Sequence, residues 1–272
     1  MSFHDKYEYI ISKNNSLVCV GLDSDITKLP DIFKQNENPQ FEFNKAIVDA
    51  TNDLVSSYKP NPAFYEARGA KGIKELKMTC DYIKGIYPDV PIIIDAKRGD
   101  IGNTNEGYAS YVFDYYDADA ITVMPYMGIE SLSSFFNRAG RGVIVGCHSS
   151  NSGAKEFQEL KIDEKPLYQY VAEEIMKQHG DNPNAMMFMG ATYPEQLTEI
   201  RKIVGDMTFL VPGIGSQGGD VEKTIKSGLN SKNAGLIINS SRSIIFASSG
   251  NDFAEKAREE TEKLRVQINQ YR

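Results

Sequence analysis

Eight short apolar runs, separated by stretches of helical periodicity, constrain this chain more than any other feature. They fall at residues 17–22, 55–59, 91–97, 120–124, 142–147, 185–189, 208–211 and 235–239. Most are continuous rather than alternating, the pattern of strands buried on both faces of a parallel sheet. Between them Ile73, Leu76, Cys80 and Ile83 recur at helical spacing. So do Leu167, Tyr170, Val171, Ile175 and Met176 ahead of Gly180, and Leu197, Ile200 and Val204. Residues 252–268, rich in Glu, Lys, Arg and Ala, are predicted to close the chain as a surface helix. Eight strand–helix alternations over 272 residues predict a TIM (β/α)8 barrel, with residues 1–272 as a single domain. An open doubly wound sheet is the alternative. It is expected to carry a Gly-rich turn after its first strand, where this chain has Asp23-Ser24-Asp25.

Composition narrows the function class. A net charge of -7 argues against a general nucleic-acid binder. No apolar run approaches the roughly 20 residues that span a bilayer, and the polar N-terminus lacks a signal-peptide core. Cys19, Cys80 and Cys147 are odd in number and far apart, which fits a reducing, cytoplasmic location. Neither they nor His4, His148 and His179 show metal-ligand spacing. No metal and no cofactor are expected, and no membrane partner.

In a barrel of this kind, chemistry collects at the C-terminal ends of the strands. The first run ends in Asp23, the second in Lys59, and the third delivers Asp95 and Lys97, with Asp100 just beyond. Asp95 and Lys97 are two apart, so a regular pleat points them the same way. Each charge has a plain alternative: an Asp after a strand often caps a helix, and a lone Lys is often a solvated rim charge. Four charges at the same end of three successive strands favour a proton-handling site over coincidence. For Asp23 and Lys59, taken alone, both readings stand. The glycine-dense segment 212–220 follows the seventh run, and Arg242 follows the eighth. Glycines let a backbone approach a ligand and expose N–H donors, and a guanidinium is a planar partner for a phosphate dianion. His148 reads better as a packing or turn residue than as a base. Met124, Met127, Met186, Met187 and Met189 read as core filling.

With these residues in view, the chain resembles the orotidine 5'-phosphate decarboxylase family, in its longer-branch form. Asp95-Ala96-Lys97-Arg98-Gly99-Asp100-Ile101-Gly102-Asn103-Thr104 is similar to that family's catalytic signature. Tyr58-Lys59-Pro60-Asn61, Ser149-Ser150-Asn151 and Pro212-Gly213-Ile214-Gly215-Ser216-Gln217-Gly218-Gly219-Asp220 support the likeness. The resemblance implies decarboxylation of orotidine 5'-phosphate to uridine 5'-phosphate in pyrimidine biosynthesis. It implies that Asp23 and Lys59 hold the ribose hydroxyls, with Lys59 also joining the catalytic charge network, that Asp95 faces the substrate carboxylate, and that Lys97 delivers the proton. Ser150 is implied to read the pyrimidine edge, with Ser149 the alternative. Gln217 and Arg242 are implied to grip the phosphate, Ser241 to offer a backbone N–H to it, and Pro212 to line the pocket. Asp100, Ile101 and Thr104 are implied to cross into a second subunit's site, making the enzyme a homodimer. Many relatives have glycine where Ser241 stands. The competing enzyme reading is a metal-dependent phosphosugar barrel; Ser150 and Gln217 favour the nucleotide.

Overall fold

The computed structural model of the chain describes residues 1–214 and 220–272. Among the described residues, eight strands form one all-parallel sheet. They are β1 (Val18–Gly21), β2 (Ser57–Lys59), β3 (Ile93–Arg98), β4 (Ala120–Val123), β5 (Gly142–His148), β6 (Ala185–Met189), β7 (Phe209–Pro212) and β8 (Leu236–Ser240). The hydrogen-bonded order runs β2, β1, β8, β7, β6, β5, β4, β3. The two ends then meet: Tyr58 bridges Ile92 in parallel, and its N–H donates to the Pro91 carbonyl at 3.0 Å. The sheet is therefore a (β/α)8 barrel, and the predicted fold class holds. Each predicted run coincides with a barrel strand to within a residue or two at its ends. The continuous apolar character has the expected cause: β1, β4, β5, β6 and β8 are buried at every position.

Helices wrap the barrel on the faces that the periodicity marks. In Ala70–Ile86 the residues Leu76, Cys80 and Ile83 face inward, and in Pro194–Val204 so do Leu197, Ile200 and Val204. The last helix, Phe253–Asn269, buries Phe253, Ala257, Thr261 and Ile268 and leaves its charged face to water. In Leu167–His179 the buried set is Tyr168, Ala172 and Ile175, rotated from the predicted stripe. A hairpin of Lys161–Ile162 with Lys165–Pro166, which the periodicity does not mark, precedes this helix. Its Ile162 carbonyl accepts the Tyr170 hydroxyl at 3.1 Å.

The polar-looking N-terminus is a helix, Phe3–Lys13, opened by a reciprocal Ser2–Asp5 capping box. It closes the N-terminal end of the barrel. Phe3 N–H donates to the Gly140 carbonyl at 2.7 Å, the Tyr7 hydroxyl donates to the Leu236 carbonyl, and Lys6 reaches the buried Asp119 at 3.1 Å. Phe3, Ile10 and Ile11 are buried there, each side chain contributing about 1.5–3 kcal/mol. With that end plugged, the opposite mouth is the open one.

Candidate active site

The site is built where the strands stop being regular. β3 pairs with β4 in register at Ile93–Ala120 and Ile94–Ile121, then shifts before Arg98 meets Val123. Inside that bulge Lys97 has φ +47°, the left-handed region that a side chain rarely adopts. A second register shift lies between Gly146 and His148 of β5. Both irregularities face the C-terminal mouth, where strand bulges commonly re-aim side chains.

A cavity of about 280 Å³ opens at this mouth. Asp23, Lys59, Asp95 and Lys97 line it, so the four predicted charges do converge. Asp95 accepts from Lys59 Nζ at 2.8 Å on Oδ2, and from Lys97 Nζ at 2.6 Å on Oδ1. The side chains of Lys59 and Asp95 are 3% and 10% exposed, whereas that of Lys97 is 48% exposed. Lys59 is thus no rim charge. Burial alone would push the Asp95 carboxyl up; the two flanking ammonium groups outweigh it and hold the carboxyl well below the usual range. Burial would likewise lower Lys59, but Asp95 and Asp23 more than offset it and raise it above the ordinary lysine value. The mouth therefore carries one carboxylate locked in its charged form between two cations.

Across the cavity, the Ser241 hydroxyl donates to Asp23 Oδ2 at 2.6 Å and lies 3.1 Å from the Gly21 carbonyl. A Cβ on Gly21 would stand 2.7 Å from that hydroxyl, so glycine is what admits it. The other Asp23 oxygen is buried and has no hydrogen-bond partner among the described residues. A buried acceptor of that kind suits a hydroxyl of a ligand. Arg242, first residue of the short helix Arg242–Ile245, lines the same cavity, as do Pro212, Gly213 and Ile214 at the end of β7. Gln217 lies outside the described residues.

Ser149 and Ser150 both line the cavity. Ser149 is engaged locally: its N–H donates to Gln158 Oε1 at 2.7 Å and its hydroxyl to Asn151 Oδ1 at 2.7 Å. Ser150 is held by its backbone, whose carbonyl accepts from Thr192 at 3.1 Å. Phe188 and Leu210 give the cavity an apolar wall, and Lys97 Nζ stands 5.9 Å from the centre of the Phe188 ring. Sequence reasoning passed over both; inside continuous apolar strands nothing distinguishes a lining residue from a core one. Asn239 of β8 is a further polar lining residue.

Asp100, Ile101 and Thr104 do not line the cavity of their own chain. The Asp100 carboxylate accepts the N–H of Ile101 at 2.7 Å, while Ile101 and Thr104 are exposed. His148 is fully buried, with Tyr168 and Tyr193 edge-on to its ring and Nε2 3.2 Å from Glu159. Burial pushes its imidazole below the ordinary histidine value. It packs under the mouth and does not line the cavity. Met186, Met187 and Met189 are core residues, but Met127 is exposed. Among the described residues, no three His, Cys, Asp or Glu side chains are grouped so as to hold a metal ion.

A closed parallel barrel with a lysine-bracketed carboxylate at its C-terminal mouth defines the class: a (β/α)8-barrel enzyme. Residues 16–257 match the family model described as Orotidine 5'-phosphate decarboxylase / HUMPS family, and the chain belongs to that family. It is 49% identical over 271 residues to the orotidine 5'-phosphate decarboxylase of Cellvibrio japonicus, covering 99% of this chain and 98% of the relative. The solved orotidine monophosphate decarboxylase of Leishmania donovani superposes with a TM-score of 0.83 at 33% identity, covering 98% of this chain and 100% of that one. The UMP synthase of the same organism gives 0.88 at 34% identity; there the match covers 100% of this chain and 56% of the other. The reaction is the decarboxylation of orotidine 5'-phosphate, a step of pyrimidine biosynthesis. Among the described residues, no helix is long and apolar enough to cross a membrane.

Proposed function

We propose that Lys97 stabilises and then protonates the carbanion left when orotidine 5'-phosphate loses CO2, without metal or cofactor. The bond from C6 to the carboxylate breaks and its electron pair stays on C6, in an sp2 orbital in the ring plane. That orbital is orthogonal to the π system, so resonance does not spread the charge. Stabilisation must come from a fixed cation, and the ammonium of Lys97 supplies it and gives up its proton to C6. Each ~1.4 kcal/mol of differential stabilisation is worth about tenfold in rate.

The observation that carries this reading is the Lys59–Asp95–Lys97 bridge at 2.8 and 2.6 Å. Asp95 keeps Lys97 aimed through the 2.6 Å contact with its Nζ. Facing the substrate carboxylate, it also adds a like-charge repulsion that departs with CO2. Asp23 and Lys59 take the ribose hydroxyls, and the bare oxygen of Asp23 supports that role. Ser150, which lines the cavity on a backbone fixed by Thr192, reads the pyrimidine edge, with Ser149 the alternative. Arg242, Gln217 and the N–H of Ser241 hold the phosphate, with Pro212 beside it.

The enzyme is a cytoplasmic homodimer of single-domain barrels, with Asp100, Ile101 and Thr104 completing the partner's site. Support comes from their position outside their own cavity. Ile101, Tyr126 and Met127, large apolar side chains just past the ends of the adjacent strands β3 and β4, are also each exposed. The test of the chemistry is Lys97→Ala. Its kcat is expected to fall by at least about four orders of magnitude, while uridine 5'-phosphate still binds. A kcat near that of the parent enzyme overturns the proposal.

A further inference from the structure

We propose that Thr122 is a positioning residue for Lys97, acting through one hydroxyl that ties its backbone to the carboxylate of Asp95. Thr122 is the polar residue of an otherwise apolar β4, Ala120–Val123, and is fully buried. It lies beneath the cavity, not on its wall. Its hydroxyl accepts the Lys97 N–H at 3.0 Å and donates to Asp95 Oδ1 at 2.9 Å. The polarity is fixed: a backbone N–H only donates and a carboxylate only accepts, so the single hydroxyl proton must point at Asp95.

This contact sits where the β3–β4 ladder is broken. Ile94 pairs with Ile121 and Arg98 with Val123, so the bulge deprives Lys97 of its ladder partner. The left-handed φ of +47° at Lys97 carries strain that its surroundings must offset. The Thr122 hydroxyl replaces the missing ladder bond and holds that conformation. It also shares Asp95 Oδ1 with Lys97 Nζ, which fixes the carboxylate plane from behind. Backbone and side-chain amine of Lys97 are thereby tied to one point. Since the gain from a fixed cation depends on its placement to within about an ångström, losing this tie acts on kcat more than on substrate affinity.

The proposal rests on Lys97 as proton donor, and the experiment separates the two. Thr122→Val keeps shape and removes the hydroxyl; Thr122→Ser keeps the hydroxyl and removes a methyl. Thr122→Val is expected to lower kcat about 10- to 100-fold, the worth of a hydrogen bond to a charged group, with KM within about threefold. Thr122→Ser is expected to stay within about fivefold of the parent. Binding of 6-hydroxyuridine 5'-phosphate, which places an anionic oxygen on C6, is expected to weaken about tenfold or more in Thr122→Val. Binding of uridine 5'-phosphate is expected to hold. If Thr122→Val does not fold, Thr122→Ala against Thr122→Ser isolates the same hydroxyl. A kcat within twofold for the hydroxyl-free variant, equal damage in the serine variant, or parallel loss of both ligands overturns the proposal. Failure of the donor reading looks different: Lys97→Ala would then turn over whatever stands at residue 122.

Discussion

Taking a carboxylate out of water costs several kcal/mol unless cations follow it in. Asp95 meets that condition through Lys59 and Lys97, and its pKa records the result. The folded value lies below the unfolded one, so its contribution to stability is fully present above about pH 4. It is lost as pH falls through the folded value. Lys59 is displaced upward; its contribution is present below about pH 10.4 and lost as pH rises through its folded value. Between those limits neither group titrates. Replacing Lys59 by Met leaves Asp95 with one cation, and the expected loss is about 3–5 kcal/mol at pH 7 by urea denaturation. As pH falls from about 4 toward the folded Asp95 value, the parent protein progressively loses that contribution, so the deficit is expected to shrink over that descent. A deficit that stays constant over that whole descent would place the damage in packing and refute the electrostatic account.

Elements reach the site through their irregular ends. The apolar runs predict where strands lie because burial on both faces demands it. They do not reveal the bulges at Ile94–Arg98 and Gly146–His148, since a register shift is a relation between two strands. The expectation that Asp95 and Lys97 converge through regular pleating therefore reaches the right outcome by the wrong route. Convergence depends on a left-handed Lys97 and on Thr122 of the neighbouring strand. The Ser149–Ser150 turn depends on a neighbour too. Gly190, just after β6, lies so close that a Cβ would stand 2.6 Å from the Ser150 Cα and 2.7 Å from its nitrogen. Gly190→Ala is thus expected to displace the Ser150 backbone, cost about 1–3 kcal/mol and raise KM. An unchanged Tm together with an unchanged KM would show that the turn is not held there.

At the scale of the whole molecule, one chain supplies Asp23, Lys59, Asp95 and Lys97 to its own cavity but keeps Asp100 outside it. If each site is completed by its twin, two dead variants can rescue each other. Lys97→Ala and Asp100→Ala homodimers, dissociated, mixed and reassociated, give hybrid dimers in which one site holds both defects and the other none. Random pairing makes half the dimers hybrids, so about a quarter of the parent activity is expected to return. No recovery, with hybrids demonstrated by mass spectrometry, would mean that each barrel works alone.

The sequence by itself determined the barrel and the identity of its charged residues. Apolar run length and helical spacing are local properties, and the charges stand at fixed offsets from the run ends. It left other matters open: which face of Leu167–His179 is buried, that the first residues cap the barrel, and that Phe188, Leu210 and Asn239 line the cavity. It also could not show that a threonine in β4 braces Lys97. Those depend on contacts between segments far apart in the chain, and only the closed tertiary structure brings the partners together.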